Sequence, residues 1–241
     1  MSGQISQARR CQNYLLSKLS DEDFQELLPT LHLVESKARE ELYHQGEPIE
    51  YVHFPCDCAH SCLIYMEDGS AVEVGTLGNE SFTGIELLLN ATHAVETVIC
   101  QVVGHSLRMS VADSRRALEK HPAFRRLLQC SAQGYLAQVS QSVACNRLHS
   151  VDMRFARWLL VTHDRVKGNE FNLTQEFLAA MLGVHRPSVS LVAGAFQQAG
   201  IIRYSRGKMQ ILDRDRLEEA SCECYAMVRD QYVRLLGIPH G

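Results

Sequence analysis

Residues 174–212, TQEFLAAMLGVHRPSVSLVAGAFQQAGIIRYSRGKMQIL, constrain this chain more tightly than any other stretch. Phe177, Leu178, Met181 and Leu182 recur at helical spacing and define one buried face. Gly183 follows directly, and Val184 plugs the space between that helix and the next. The second helix buries Val189, Val192, Ala193 and Phe196 and leaves His185, Arg186, Ser188, Ser190 and Gln197 on its other faces. Pro187 fits its first turn, because the amide that proline lacks has no helical partner there. Residues 201–204 and 208–212, joined by Ser205-Arg206-Gly207, read as a two-stranded hairpin. Helix, tight turn, helix and wing together make a winged helix-turn-helix.

Helix pairs joined by a glycine turn are common in proteins that never touch nucleic acid, so charge has to decide. Residues 174–212 carry Arg186, Arg203, Arg206 and Lys208 against Glu176 alone, a net +3 on a chain whose overall charge is −4. Local positive charge on an acidic protein suits phosphate contact without general stickiness. A helix that exposes short polar groups and one arginine at its N-terminal end can reach base edges in a major groove. Thr174, Gln175 and Ser188 are placed for phosphate oxygens, His185, Arg186 and Ser190 for the groove, and Arg203, Arg206 and Lys208 for sequence-independent attraction. An Arg186 paired with Glu176 inside the subunit would weaken this reading in favour of a module that works through protein contacts.

Upstream the texture differs. Residues 6–31 read as helical, with Ser20 as a cap and Glu22 and Asp23 in an acidic first turn. Short apolar or alternating runs at 41–44, 51–54, 62–65, 71–75, 97–103 and 106–109 are separated by Gly46-Glu47-Pro48, Glu67-Asp68-Gly69, Gly78-Asn79-Glu80 and Gly104. Strands at this spacing predict an antiparallel barrel or jelly-roll. Pro122 opens a long helix to residue 147 whose stripe runs through Phe124, Leu127, Leu128, Leu136, Val139 and Val143, with Tyr135 alongside. Residues 151–167 and 217–236 are further helical runs.

The letters at 173–179, Gly183-Val184, Arg186-Pro187-Ser188-Val189 and Gly200-Ile201-Ile202, with Leu42 to Pro48, Asp68-Gly69 and Phe82-Thr83-Gly84, resemble the Crp/Fnr regulators over nearly the whole chain. The resemblance implies an α+β chain: a β-roll sensor like a cyclic-nucleotide-binding domain with N-terminal helices (1–121), a long dimerisation helix (122–149) and a winged helix-turn-helix (150–241). It implies a homodimer joined through Leu128, Tyr135, Leu136 and Val139, with double-stranded DNA and RNA polymerase as partners. It places Arg186 on a guanine, while Pro187 and Leu191 replace the family's usual glutamate and later arginine, so the target should differ from the best-known one. The effector pocket it implies lies at Gly84, Ile85, Glu86 and His93. Family members that hold a cyclic nucleotide use an arginine beside a helix N-terminus. Residues 91–97 contain no arginine, Glu96 would repel a phosphate, and His93 is mostly neutral near pH 7. Cyclic AMP is therefore not the expected ligand, and an unidentified small molecule or a redox signal takes its place.

Nine cysteines, an odd number without a regular framework, point to reduced thiols in a cytoplasm. Cys56, Cys58 and Cys62, with His53 and His60 nearby, are weak candidates for a metal or redox centre, at a spacing unlike the family's iron–sulfur sensors. Cys222 and Cys224, read as lying in one helix, should diverge, one buried and one exposed, and Cys100, Cys130 and Cys145 show no partner spacing. His32, His44 and His93 are the weak haem-ligand candidates, and no motif implies a cofactor. Metalloprotease, P-loop, nucleophile-elbow and dinucleotide signatures are missing, so no enzyme is expected. No stretch approaches 18 consecutive apolar residues and the N-terminus lacks a signal peptide's apolar core, so no membrane partner is expected.

Overall fold

The structure is a computed structural model, described here for residues 13–166 and 168–238. Asn13 caps the short helix α1 (Tyr14–Ser17) by accepting the Leu16 amide, and Ser20 caps α2 (Asp21–Leu27) by accepting that of Asp23. The helix expected over 6–31 is thus broken from Asn13 on, because Ser20 starts a new helix and Pro29 tightens the chain into a 3-10 turn, Leu28–Thr30. Its earlier part lies outside the described residues.

Seven antiparallel strands follow. They are β1 (His32–Ser36), β2 (Glu41–Tyr43), β3 (Tyr51–Pro55), β4 (Ala59–Tyr65), β5 (Ala71–Leu77), β6 (Thr97–Val102) and β7 (Gly104–Ser110). They form two sheets, ordered β1-β7-β3 and β2-β6-β4-β5. Val52, Phe54, Phe82, Leu107 and Met109 fill one end of the roll, and Tyr43, Cys62, Leu77 and Val98 the other.

After α3 (Val111–Lys120) comes the 27-residue helix α4 (Pro122–Leu148), about 40 Å long at 1.5 Å per residue. It serves two neighbours at once. Phe124 and Leu128 enter the core of the roll, and Tyr135 lies against β5 at Gly75, where a Cβ would come within 2.5 Å of the tyrosine ring. Leu128 and Tyr135, expected at the dimer seam, are therefore buried inside their own subunit. Leu136 and Val143 point outward instead, and Val139 is half-buried.

The C-terminal part comprises α5 (Val151–His163), β8 (Glu170–Asn172), α6 (Gln175–Leu182), α7 (Arg186–Gln198), β9 (Ile202–Ser205), β10 (Lys208–Ile211), α8 (Arg214–Glu219) and α9 (Cys224–Leu236). The wing gains a third strand, in the order β8-β10-β9. Phe155, Trp158, Leu159, Leu178, Met181, Val189, Phe196 and Met209 form its core, which Leu63 and Ile99 of the roll continue. Trp158 donates its indole N–H to Glu73 at 3.0 Å, and Ser61 and Thr76 donate hydroxyls to the same half-buried carboxylate. The run expected to be one helix over 217–236 breaks at residues 220–223. The second piece, α9, returns along α4, where Gly134 leaves room for the Tyr232 ring. Among the described residues no single helix is long and apolar enough to cross a membrane.

Candidate nucleic-acid interface

The Thr174 hydroxyl accepts the Phe177 amide at 3.2 Å and so starts α6. Gly183 ends that helix in the left-handed region, at φ 59°, which favours glycine. The chain then turns by 107° into α7, within the range of a helix-turn-helix. Val189, Ala193 and Phe196 anchor α7 in the core. His185, Arg186, Ser190 and Leu191 are exposed near its N-terminal end, whereas Ser188 is half-buried. Leu191 is 77% exposed, which gives this face of α7 one apolar element.

Arg186 carries the discriminating observation. Its Nη1 lies 2.8 Å from Glu176 Oε1, and its Nε donates to Gln175 Oε1 at 3.4 Å. The intramolecular pair that sequence analysis treats as unfavourable to DNA reading is therefore present. It is not buried, however, since both side chains are more than 60% exposed. Exposed pairs contribute about 0–1 kcal/mol, so a guanine or phosphate that offers two acceptors can displace Glu176 at small cost. Ser190 donates its hydroxyl to Gln175 Oε1 at 2.9 Å, which ties the first helix to the exposed side of the second.

The wing frames the other side of this groove. Arg206 and Gly207 both take positive φ, 51° and 77°, and make a two-residue turn with a twist that suits a hairpin. Arg206 is exposed at its tip. Arg203 donates to Gln210 at 3.1 Å, and Lys208 lies 3.4 Å from Glu170 across the extra strand. Gln197 accepts the Tyr204 amide, and the Tyr204 hydroxyl donates to the Leu173 carbonyl, so wing and helices are fixed to each other. Thr174, Gln175, Arg186, Ser190, Gly194 and Arg206 line one continuous concavity.

One contributor was invisible in the sequence. Arg39, at the end of the β1–β2 loop with φ 62°, donates its Nη2 to Thr174 Oγ1 at 3.1 Å and covers the Phe177 ring. The two residues lie 135 positions apart, so no local pattern links them.

A second concavity of about 490 Å³ lies between the roll and α4. Gly84, Ile85 and Glu86 line it, as expected, together with Glu96, Tyr135, Leu136 and Val139. His93 is not among its lining residues; it bridges to Pro48 in the chain and bonds Thr92 at 2.9 Å. Among the described residues no lysine, arginine or histidine lines the cavity, and Tyr135 donates its hydroxyl to Glu96 at 2.5 Å. Glu86 accepts the Val95 amide at 3.0 Å. Burial raises the Glu96 pKa, against the lowering effect of the Tyr135 hydrogen bond.

Cys56, Cys58 and Cys62 do not meet. Cys56 is disulfide-bonded, a departure from the expected all-reduced set. Cys58 donates to the His105 carbonyl and faces His60 at 3.6 Å, while Cys62 lies in the core beside Tyr43 and Leu77. Burial holds His53 and His60 neutral, with pKa values pushed down to about 4 and about 3. His32, His44 and His93 are all exposed. Cys222 and Cys224 do not diverge as expected. Both are buried, and both lie against Cys145, because the chain between α8 and α9 is not helical at Cys222.

Residues 153–220 match the family model of the Crp-like helix-turn-helix domain. The fold is similar to that of FixK2 from Bradyrhizobium japonicum, with 17% identity and a TM-score of 0.68 over 80% of this chain and 98% of the other. A transcriptional regulator of the Crp/Fnr family from Eubacterium rectale gives 19% identity and a TM-score of 0.67 over 86% and 98%. The c-di-GMP responsive regulator CLP from Xanthomonas campestris gives 14% and 0.64 over 80% and 99%. No curated protein sequence matches the chain significantly.

Proposed function

We propose that this chain, which has a Crp-like helix-turn-helix domain on the Crp/Fnr fold, is a homodimeric transcription regulator that reads a two-fold DNA site. On this reading residues 1–121 sense a signal, 122–149 join two subunits, 150–241 bind DNA, and the output passes to RNA polymerase in the cytoplasm. The observation that carries it is the exposed face of Arg186, Ser190 and Leu191 on α7, flanked by a wing with Arg203, Arg206 and Lys208. Arg186 suits a guanine edge and Leu191 a thymine methyl group, while Thr174, Gln175 and Ser188 serve phosphates.

Selection of bound sequences from a random duplex pool, followed by affinity measurements across salt concentrations, tests the reading. A two-fold consensus is expected. Replacing Arg206 and Lys208 together by glutamine should lower the slope of log affinity against log salt by about 2, because about 0.9 counterions are released per phosphate contact. An unchanged slope removes the wing from the interface. The Arg186–Glu176 pair favours a second reading, in which the helix-turn-helix binds protein, and a pool without enrichment would support it.

The pair also yields a signed prediction. Glu176→Gln frees Arg186 from a contact of about 0–1 kcal/mol and removes a negative charge from the groove, so DNA should bind up to about fivefold tighter. Arg186→Ala should lose about 1–3 kcal/mol at one base pair and flatten preference there. Equal losses on specific and scrambled duplexes would reduce Arg186 to a phosphate contact.

For the signal, the cavity supplies apolar walls and two acidic side chains with no cation among the described residues, which suits an uncharged, largely apolar ligand and opposes a cyclic nucleotide phosphate. Cyclic AMP at millimolar concentration should leave the melting temperature unchanged, since only a ligand that binds the native state stabilises it. A rise of several degrees would refute this account of the cavity.

A further inference from the structure

Cys145 and His149 lie one helical turn apart at the end of α4, on the same face. The break between α8 and α9 brings Cys222 and Cys224 against them. The three sulfurs and the imidazole nitrogen all lie within 4.8 Å of one another. Cys145 Sγ is 3.5 Å from Cys222 Sγ, and Cys224 Sγ is 3.4 Å from His149 Nδ1. A tetrahedral ion with metal–sulfur bonds of about 2.3 Å and a metal–nitrogen bond of about 2.0 Å separates its ligands by about 3.8 Å between sulfurs and about 3.5 Å between sulfur and nitrogen. Those two contacts are within a few tenths of an ångström of that figure.

The surroundings fit as well. The outer ring nitrogen of His149, Nε2, faces the Glu223 carboxylate at 3.3 Å. That is the carboxylate–histidine arrangement that orients a metal-bound imidazole through its free nitrogen. Gln141 Nε2 donates to Cys224 Sγ at 3.1 Å, a bond that favours thiolate over thiol. The thiols of Cys145 and Cys222 lie close enough to the arginines at 154 and 157 to interact with their charges. Three thiolates around a divalent ion leave one net negative charge, and the buried Arg154 is placed to offset it.

We propose that Cys145, His149, Cys222 and Cys224 form a structural zinc site that pins the start of α9 to the end of α4. Three thiolates and one imidazole select a borderline-soft ion and disfavour magnesium and calcium. Four protein ligands leave no open position, so the role is structural rather than catalytic. The site also reaches the helix-turn-helix, because Arg154 donates to the carbonyl of Leu182, the last residue of α6.

The test uses the full-length, tag-free protein, purified under reducing conditions. Elemental analysis should find about one zinc ion per chain. Replacement by cobalt should give the intense visible and near-ultraviolet bands of a tetrahedral, thiolate-rich site. Cys145→Ser and Cys224→Ser should each abolish stoichiometric zinc, whereas Cys100→Ser, which removes a buried thiol elsewhere, should retain it. Should the serine variants not fold, the wild-type zinc content and cobalt spectrum decide alone. A wild-type chain that takes up neither ion overturns the site, as does a Cys145–Cys222 disulfide that persists under those reducing conditions with zinc present.

Discussion

If the chain is the proposed homodimer, replacing Leu136 and Val143 together by glutamate is expected to give a monomer and to weaken binding to a two-fold DNA site by about 10²–10⁴-fold, the usual range of the gain from linking two binding units. The two side chains lie one heptad apart on α4 and are 58% and 68% exposed in the single subunit. Apolar residues at that spacing form a helical seam, and the half-buried Val139 lies between them. Because neither side chain enters the core, melting and circular dichroism should stay close to wild type while sedimentation velocity shows half the mass. Leu128 behaves differently. Buried with Phe54, Phe82 and Phe124, it would unfold the roll if charged, and a loss of dimer there would say nothing about the seam. A wild-type protein that sediments as a monomer at micromolar concentration would end the two-fold reading.

The largest effect on stability is expected for Arg165→Met. The guanidinium donates to Glu80 Oε1 through Nε at 3.1 Å and Nη2 at 2.5 Å, and to the Val161 carbonyl through Nη1 at 2.7 Å. Both side chains are about nine-tenths buried. Removing one partner leaves the other as an uncompensated buried charge, at a cost of about 3–5 kcal/mol. Urea titration should show this loss, and Glu80→Gln on the same background should recover part of it. Full additivity of the two losses would mean that the groups do not interact.

Local signals were enough for the helix-turn-helix. Thr174 caps a helix, Gly183 ends it, and the apolar residues of α6 and α7 recur on one face, so each step is written in neighbouring letters. Strand spacing likewise gave the roll. The long helix shows where such reading stops. Its apolar stripe is wide enough to meet two surfaces, and periodicity identifies apolar positions without saying which neighbour each one meets. Leu128 and Leu136 therefore looked alike. The last helix departs from its pattern for a related reason: the apolar spacing continues through Ser221 and Cys222, where the chain is not helical. With it went the direction of Cys222, and so the cluster with Cys145. Arg165–Glu80 and Arg39–Thr174 join residues 85 and 135 positions apart, and only the folded chain brings them together.

The contact of Arg39 with Thr174 makes the charge of the proposed DNA-binding surface a property of how the chain is assembled. Counted along the sequence, residues 174–212 own four cations. In the folded chain a fifth is delivered from the roll to the oxygen that starts α6. A phosphate at that helix end would meet a guanidinium that belongs to the β-roll. If DNA binds there, seating of the roll would raise DNA affinity by the same factor by which bound DNA favours that seating.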